Sequence, residues 1–280
     1  MTTDKKIKPF LRWAGGKNWL TKNIDSVLPT HFNNYYEPFL GGGSIFFHLK
    51  NQNLIKGQAT LSDLNPKLIK CYQTLRDSVD LVIDELKKYS NDSITYYSER
   101  DLKYDTDFQE AARFIFLNRT SFNGIYRENL KGIYNVPYGY KNYKLLFDFD
   151  NLLRVSESLQ NVKIEVSDFG KTILDAEKGD LTFIDPPYTV AHENNGFVKY
   201  NQKIFSWEDQ VRLKNCILDL EDKGIYYILT NAYHASLIEL YTSIGVSKKL
   251  ERFSVVGGNN AKRDKYHELI ITNTNVETNF

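Results

Sequence analysis

Short apolar runs rich in β-branched and aromatic residues, each closed by Gly, Pro, Asn or Asp, recur at residues 35–39, 59–62, 162–166, 181–184, 225–230, 253–256 and 268–272. They predict seven strands. Between several of them the apolar positions take helical spacing, at residues 44–49, 66–86, 207–220 and 235–241. Strands alternating with helices make βαβ units, so the fold class is α/β, a doubly wound and mostly parallel sheet. The alternation breaks once. From Pro66 to about Leu159 the spacing is helical, clearest at residues 109–117, and a stretch rich in Gly, Asn and Tyr follows it. This predicts an inserted, mainly helical domain over residues 67–146, with residues 1–66 and 147–280 forming the body.

Composition narrows the picture by exclusion. The chain has 280 residues, 41% apolar and 25% charged, enough to bury a core and close to an ordinary globular protein. No run approaches the ~20 apolar residues that span a bilayer, and residues 1–8 lack the apolar core of a signal peptide. A cytoplasmic protein without a membrane partner is expected. Cys71 and Cys216 stand far apart in helical patterns, and the five histidines show no ligand spacing, so neither a disulfide framework nor a metal is expected.

Net charge is only +1, but it is unevenly spread. Residues 5–22 carry Lys5, Lys6, Lys8, Arg12, Lys17 and Lys22 and no acid. Residues 118–144 set five bases against Glu128 alone, and residues 247–265 set six against Glu251 and Asp264. Acids gather at residues 77–110, ten against four bases. Nucleic acid requires a basic face, not a basic total, and this distribution permits one. The 17 Phe, 19 Tyr and 3 Trp exceed what the core requires and offer flat faces for heterocycles.

Two motifs carry chemistry. After the first strand comes Glu37-Pro38-Phe39-Leu40-Gly41-Gly42-Gly43-Ser44 and a helix start, a turn through which backbone approaches a nucleotide-like ligand. Asp63 ends the second strand, where an acid accepts ribose hydroxyls. A dinucleotide site requires a third glycine where Phe46 stands, which disfavours an NAD oxidoreductase and leaves a nucleoside ligand without pyrophosphate, such as S-adenosylmethionine. A tight turn followed by a helix-capping Asp would read the same way.

The second motif, Asp185-Pro186-Pro187-Tyr188, follows the fourth strand directly. Two prolines stiffen the turn and leave its carbonyls to accept, which suits an exocyclic amine. If Asp185 and the Pro186 carbonyl each accept one hydrogen of an adenine N6, its lone pair is drawn out of the ring, while Tyr188 stacks on the base. Such a base must first leave the duplex stack.

These segments, with Phe10-Leu11-Arg12-Trp13-Ala14-Gly15-Gly16-Lys17, Asn118-Arg119-Thr120-Ser121-Phe122-Asn123-Gly124-Ile125-Tyr126-Arg127 and Tyr134-Asn135-Val136-Pro137-Tyr138-Gly139, stand in an order that resembles the Dam-like, D12-class DNA adenine-N6 methyltransferases. The resemblance covers nearly the whole chain and implies a Rossmann-like S-adenosylmethionine methyltransferase fold with an inserted target-recognition domain. It implies cofactor binding by Trp13, Lys17, Glu37, Pro38, Phe39, Gly41, Gly43, Asp63 (ribose), Asp168 and Phe169 (adenine), and by Asp185. Asp185, Pro186, Pro187 and Tyr188 are the implied catalytic turn.

In the family, residues 118–139 are similar to the hairpin that reads DNA. There Arg127 can fork onto a guanine edge, Asn123 can pair with a base, and Phe122, Ile125 and Pro137 can wedge into the gap left by a flipped nucleotide. Arg119 and Lys131 suit phosphate. Thr230-Asn231 stands where the family often has a Ser-Asn or similar pair near the target pocket. Residues 194–205, with Phe197 and Tyr200, are expected to cover the flipped base, and residues 257–263 to touch phosphate.

The expected function is site-specific methylation of adenine N6 in double-stranded DNA, at GATC or another short palindrome. The expected setting is a monomer in a bacterial cytoplasm, or encoded by a phage and acting there, with a separately encoded restriction endonuclease as its counterpart. Two alternatives stay open on the sequence: a methyltransferase of RNA or a protein amide, and a catalytically silent DNA-binding relative.

Overall fold

The computed structural model describes residues 5–129, 131–189, 205–253 and 265–274. In chain order the elements are β1 (Tyr35–Glu37), α1 (Ser44–Asn51), β2 (Ala59–Asp63), α2 (Pro66–Leu86), α3 (Ser93–Asp101), α4 (Asp107–Thr120), α5 (Phe149–Ser158), β3 (Lys163–Val166), α6 (Phe169–Leu174), β4 (Leu181–Ile184), α7 (Trp207–Asp222), β5 (Tyr226–Ala232), α8 (Ala235–Tyr241), β6 (Val246–Phe253) and β7 (Lys265–Thr272). The seven strands form one sheet in the order β3-β2-β1-β4-β5-β7-β6.

The sheet is α/β and mostly parallel, as the alternation predicted. β4 runs parallel to both β1 and β5, and β7 enters antiparallel between β5 and β6. Strand order reverses between β1 and β4, and in open α/β sheets ligands bind at the carboxyl ends flanking such a reversal. Residues 37–39 and 185–188 leave the sheet there.

One strand differs from its expected place. The sixth was expected at residues 253–256 and is observed at Val246–Phe253. Among the described residues β6 is an edge strand whose partner is β7, and Lys248, Lys249 and Glu251 give it the charge that protects an exposed edge. That charge also erased the apolar pattern by which the other strands were found. Residues 254–256 lie outside the described residues, as do residues 194–204 and 257–263, expected to cover the base and touch phosphate.

The chain divides into two compact units. The first comprises residues up to Asn18, Leu40–Leu54 and Leu61–Val166. Here Asn65 caps α2 by accepting from the amides of Lys67 (3.0 Å) and Leu68 (3.1 Å), with Pro66 in the first turn. Leu68, Tyr72 and Leu75 form its buried stripe, and α2 packs on α4 and α5. The segment expected as the insertion, residues 67–146, lies wholly within this unit, which also takes in the glycine loop and α5. The helical spacing over this stretch does not separate α3 and α5 as elements of their own, although Asp92 and Asp148 cap them at the amides of Thr95 (2.8 Å) and Asn151 (3.0 Å).

The second unit comprises Trp19–Phe39, Ile55–Thr60 and the chain from Ser167 onward. Its core sets Phe169 and Ile173 of α6, and Leu213, Ile217 and Leu220 of α7, against Ile184, Tyr227, Leu229, Leu269 and Ile271 of the sheet. Each such buried aliphatic or aromatic side chain contributes about 1.5–3 kcal/mol. Ser206 and Asp209 close a capping box at the start of α7. Cys71 and Cys216 are free thiols, and burial pushes the Cys71 thiol well up. Among the described residues no helix is long and apolar enough to cross a membrane.

Candidate active site

In the first unit the glycine loop is fixed by its own acid. Gly41 (φ 47°) and Gly43 (φ 64°) lie in the left-handed region, and a Cβ on Gly41 would stand 2.7 Å from Cδ1 of Trp13. The Gly41 amide donates to one Asp63 oxygen (3.1 Å) and the Asn65 amide to the other (2.9 Å), while the Tyr72 hydroxyl donates to the Gly41 carbonyl (3.2 Å). Burial raises the Asp63 carboxyl above its ordinary range, against the opposing pull of the Asn65, Gly41 and Leu64 amides. Asp63 is thus a clamp on the loop, and each of its oxygens has a further lone pair for a ligand hydroxyl. Lys17 is buried, its ammonium donating to the Gly15 carbonyl at 3.0 Å.

Trp13 reaches the loop on a strap held by three asparagines. The backbone amide and carbonyl of Ile7 both bond Asn51 (2.8 Å each), those of Lys8 bond Asn151 (2.9 Å each), and those of Arg12 bond Asn118 (2.8 Å each). Each asparagine amide does what a neighbouring strand would do for that residue. At the end of the strap the indole stacks on Tyr126 (centroids 5.2 Å, interplanar 22°) and Phe114 (6.4 Å, 23°). Asn51 and Asn151 were not foreseen, because lone asparagines have no pattern that marks a distant partner.

Tyr126 belongs to the segment singled out as a DNA-reading hairpin. Isolated antiparallel bridges join Ser121 to Tyr138 and Glu128 to Tyr134, and Arg127 donates to the Asn135 side chain at 2.8 Å. Lys67 ties the hairpin down, binding Glu128 (2.6 Å) and the Gly132 carbonyl (2.7 Å). Phe122, Asn123, Arg127, Lys131 and Pro137 are exposed, and Ile125 is half-buried. Arg119 is half-buried; it donates to the carbonyls of Leu146 (2.9 Å) and Leu145 (3.3 Å) and lies 4.3 Å over Tyr143. Burial and the nearby charge of Arg12 lower its pKa, and burial with Arg12 and Arg119 does the same to Lys141. Three bases therefore concentrate positive charge at this end of the unit.

In the second unit Glu37, at the end of β1, is buried and accepts from the Tyr35 hydroxyl at 2.7 Å. Asp168 caps α6 at the Gly170 amide (2.9 Å) and forms a two-pronged pair with Arg212 (2.6 and 2.8 Å). Those hydrogen bonds hold its carboxyl below the usual carboxylate range. Arg212 lies 3.9 Å over the Phe169 ring, Phe169 stacks on Phe39 (5.4 Å, 25°), and Phe205 packs against both. Phe39, which the sequence places in the glycine motif, thus forms one group with Asp168 and Phe169, to which the structure adds Arg212 and Phe205.

The turn after β4 is braced from the sheet. Asp185 accepts from the Thr230 hydroxyl of β5 at 2.7 Å, and the Tyr188 hydroxyl donates to Glu268 of β7. Beyond Tyr188, Thr189 donates to the Phe205 carbonyl (3.1 Å) and accepts from Gln210 (3.1 Å), whose side-chain oxygen accepts from Asn231 (3.1 Å) and Tyr241 (2.8 Å). Pro186 is buried and Pro187 half-buried.

The sequence profile of the D12 class of N6 adenine-specific DNA methyltransferases matches residues 13–256. The chain belongs to that family. Among its relatives are the type II methyltransferase M1.LlaDCHI of Lactococcus lactis subsp. cremoris, 37% identical over 278 residues with 95% of each chain covered, and M.MjaIII of Methanocaldococcus jannaschii, 35% identical over 291 residues with 96% of this chain and 99% of that one covered. The DNA adenine methylase of Haemophilus influenzae is 32% identical over 275 residues, covering 95% of this chain and 93% of its own.

This D12-class methyltransferase therefore transfers methyl groups from S-adenosylmethionine to adenine N6 in DNA. Its residues fit that cofactor. In the first unit Gly41 and Gly43 leave backbone bare at the loop and the Asp63 oxygens keep acceptor capacity for a hydroxyl, and in the second unit Phe39 and Phe169 offer flat apolar faces.

Proposed function

We propose that Asp185 and the Pro186 carbonyl receive the two N6 hydrogens of a flipped adenine, and that the Tyr188 ring stacks on its base. Both acceptors draw the nitrogen toward tetrahedral geometry, so its lone pair becomes available in the direction set by the turn. S-adenosylmethionine supplies, when bound, a methyl group activated by the adjoining sulfonium. Trp13, Lys17, Glu37, Pro38, Phe39, Gly41, Gly43, Asp63, Asp168, Phe169 and Asp185 hold it, with Asp63 accepting from the ribose and Asp168 with Phe169 taking the adenine. The observation that carries this reading is the braced turn at the strand-order reversal, where Thr230 engages Asp185 at 2.7 Å.

Residues 67–146 serve as the target-recognition domain in this reading. Arg127 and Asn123 read base edges, Phe122, Ile125 and Pro137 fill the gap left by the flipped nucleotide, and Arg119 and Lys131 meet phosphate. The exposure of Phe122, Asn123, Arg127, Lys131 and Pro137 supports it. The enzyme acts as a cytoplasmic monomer on GATC or another short palindrome, beside a separately encoded endonuclease, as the type II naming of two relatives suggests.

The test is to incubate the protein with labelled S-adenosylmethionine and unmethylated genomic DNA, beside RNA and a D185A control, and digest to nucleosides. Label in N6-methyladenine nucleoside from DNA alone, absent with D185A, is expected. Undiminished label with D185A would remove Asp185 from the reaction.

A further inference from the structure

Two strands outside the Asp185–Tyr188 turn each send one side chain to an end of it. Thr230 on β5 donates a hydrogen bond from its hydroxyl to Asp185 at 2.7 Å, and Glu268 on β7 accepts one from the Tyr188 hydroxyl. β5 and β7 are antiparallel neighbours, with Thr230 opposite Ile270 and Ala232 opposite Glu268, so both partners come from one stretch of sheet. Thr230 is 0% and Glu268 1% exposed. Leu269, Ile270 and Ile271, which follow Glu268, are buried and apolar, and packing alone would favour a similar residue at 268. Burying a carboxylate is costly unless hydrogen bonds engage it, so an acid at this place calls for a role.

We propose that Thr230 and Glu268 are positioning residues for methyl transfer, Thr230 setting the carboxyl plane of Asp185 and Glu268 the ring plane of Tyr188. The proposal rests on the reading of Asp185–Tyr188 as the catalytic turn. Rotation about the last bond of an aspartate is soft, with broad minima. A donor on one oxygen fixes that rotation, and with it the place of the other oxygen relative to an incoming amine. The Tyr188 hydroxyl is the far end of its ring, where one hydrogen bond best controls tilt, and a stacked base requires a defined tilt. Both bonds form before the adenine arrives, so no reorganisation is left for the reacting step.

The experiment compares single-turnover rates of the full-length enzyme at saturating DNA and S-adenosylmethionine for wild type, T230V, T230S, Y188F, E268Q, E268L and Y188F/E268L, with D185A as control. Affinity for both substrates and the melting temperature are measured for each. T230V is expected to slow transfer about tenfold or more, while both affinities stay within about twofold and melting is unchanged. T230S, which restores the hydroxyl, should recover most of that loss. Y188F and E268L should slow transfer by similar factors, and the double variant should be no slower than either, because all three remove one bond. E268Q keeps an acceptor and should stay close to wild type. Should E268L fail to fold, Y188F reads the same bond alone.

Wild-type rates in T230V and Y188F beside an inactive D185A would overturn the inference and leave the reading of the turn intact. Multiplied losses in the double variant would overturn the Tyr188–Glu268 pairing. Full turnover by D185A would overturn the reading of the turn itself.

Discussion

The indole of Trp13 closes over Gly41, so near that a Cβ on the glycine would stand 2.7 Å from the ring. Trp13 also stacks on Tyr126, so one side chain of the first unit borders both the glycine loop and the hairpin. Excision of the hairpin would strip a ring from Trp13, and point substitutions are the better means of separating cofactor binding from DNA binding.

Gly41→Ala meets both the indole and a φ of 47°, a conformation that costs a side-chain-bearing residue roughly 1–2 kcal/mol. S-adenosylmethionine affinity is expected to fall at least about tenfold by calorimetric titration. Gly42→Ala, whose Cβ would stand 3.3 Å from the Trp13 Cβ, should lose less. Equal affinities in G41A and wild type would dissociate the loop from the cofactor.

Asn118→Ala removes both hydrogen bonds to the Arg12 backbone and leaves a part-buried amide and carbonyl without them. A loss of about 1–3 kcal/mol in urea unfolding is expected, with weaker cofactor binding as the strap loosens. Unchanged unfolding would show that the strap is held by Asn51 and Asn151 alone.

Arg212→Met releases Asp168, whose carboxyl the guanidinium holds below its ordinary range. A group whose folded pKa is depressed adds stability above its unfolded pKa, about 3.9, and loses it as pH falls through the folded value. Wild type should therefore exceed R212M in urea midpoint by a constant margin from neutral pH to about pH 4, and the margin should close below that. Both side chains are more than a third exposed, so the margin is small. A margin that widens in acid contradicts the assignment.

Arg127→Ala should weaken discrimination between DNA sequences by about 1–3 kcal/mol, while Lys131→Ala weakens binding to all sequences alike and lowers the salt slope by about 1. Neither should alter affinity for S-adenosylmethionine. Competition binding at several salt concentrations separates the two roles, and a salt slope lost in R127A instead would exchange them.

Fold class, six of the seven strands, the glycine loop and the proline turn were legible in the sequence because each depends on local chemistry. Alternating apolar runs mark strands, a Gly-Gly-Gly turn marks bare backbone, and two prolines mark a stiff exit from a strand. The sixth strand escaped because edge strands are kept charged, and charge cancels the signal that reveals strands. The sequence marks Thr230 and Asn231 as a pair but carries no sign of what they engage.

Only the tertiary structure could join Asn118 to Arg12, Arg212 to Asp168 or Glu268 to Tyr188, pairs separated by 106, 44 and 80 positions. A hydrogen bond depends on distance and angle in space, and one chain read along its length holds no record of which polar group folding brings opposite another. The sequence by itself determined which kinds of atom this methyltransferase presents at its strand ends; the packing of distant segments decided which side chains fix their orientation.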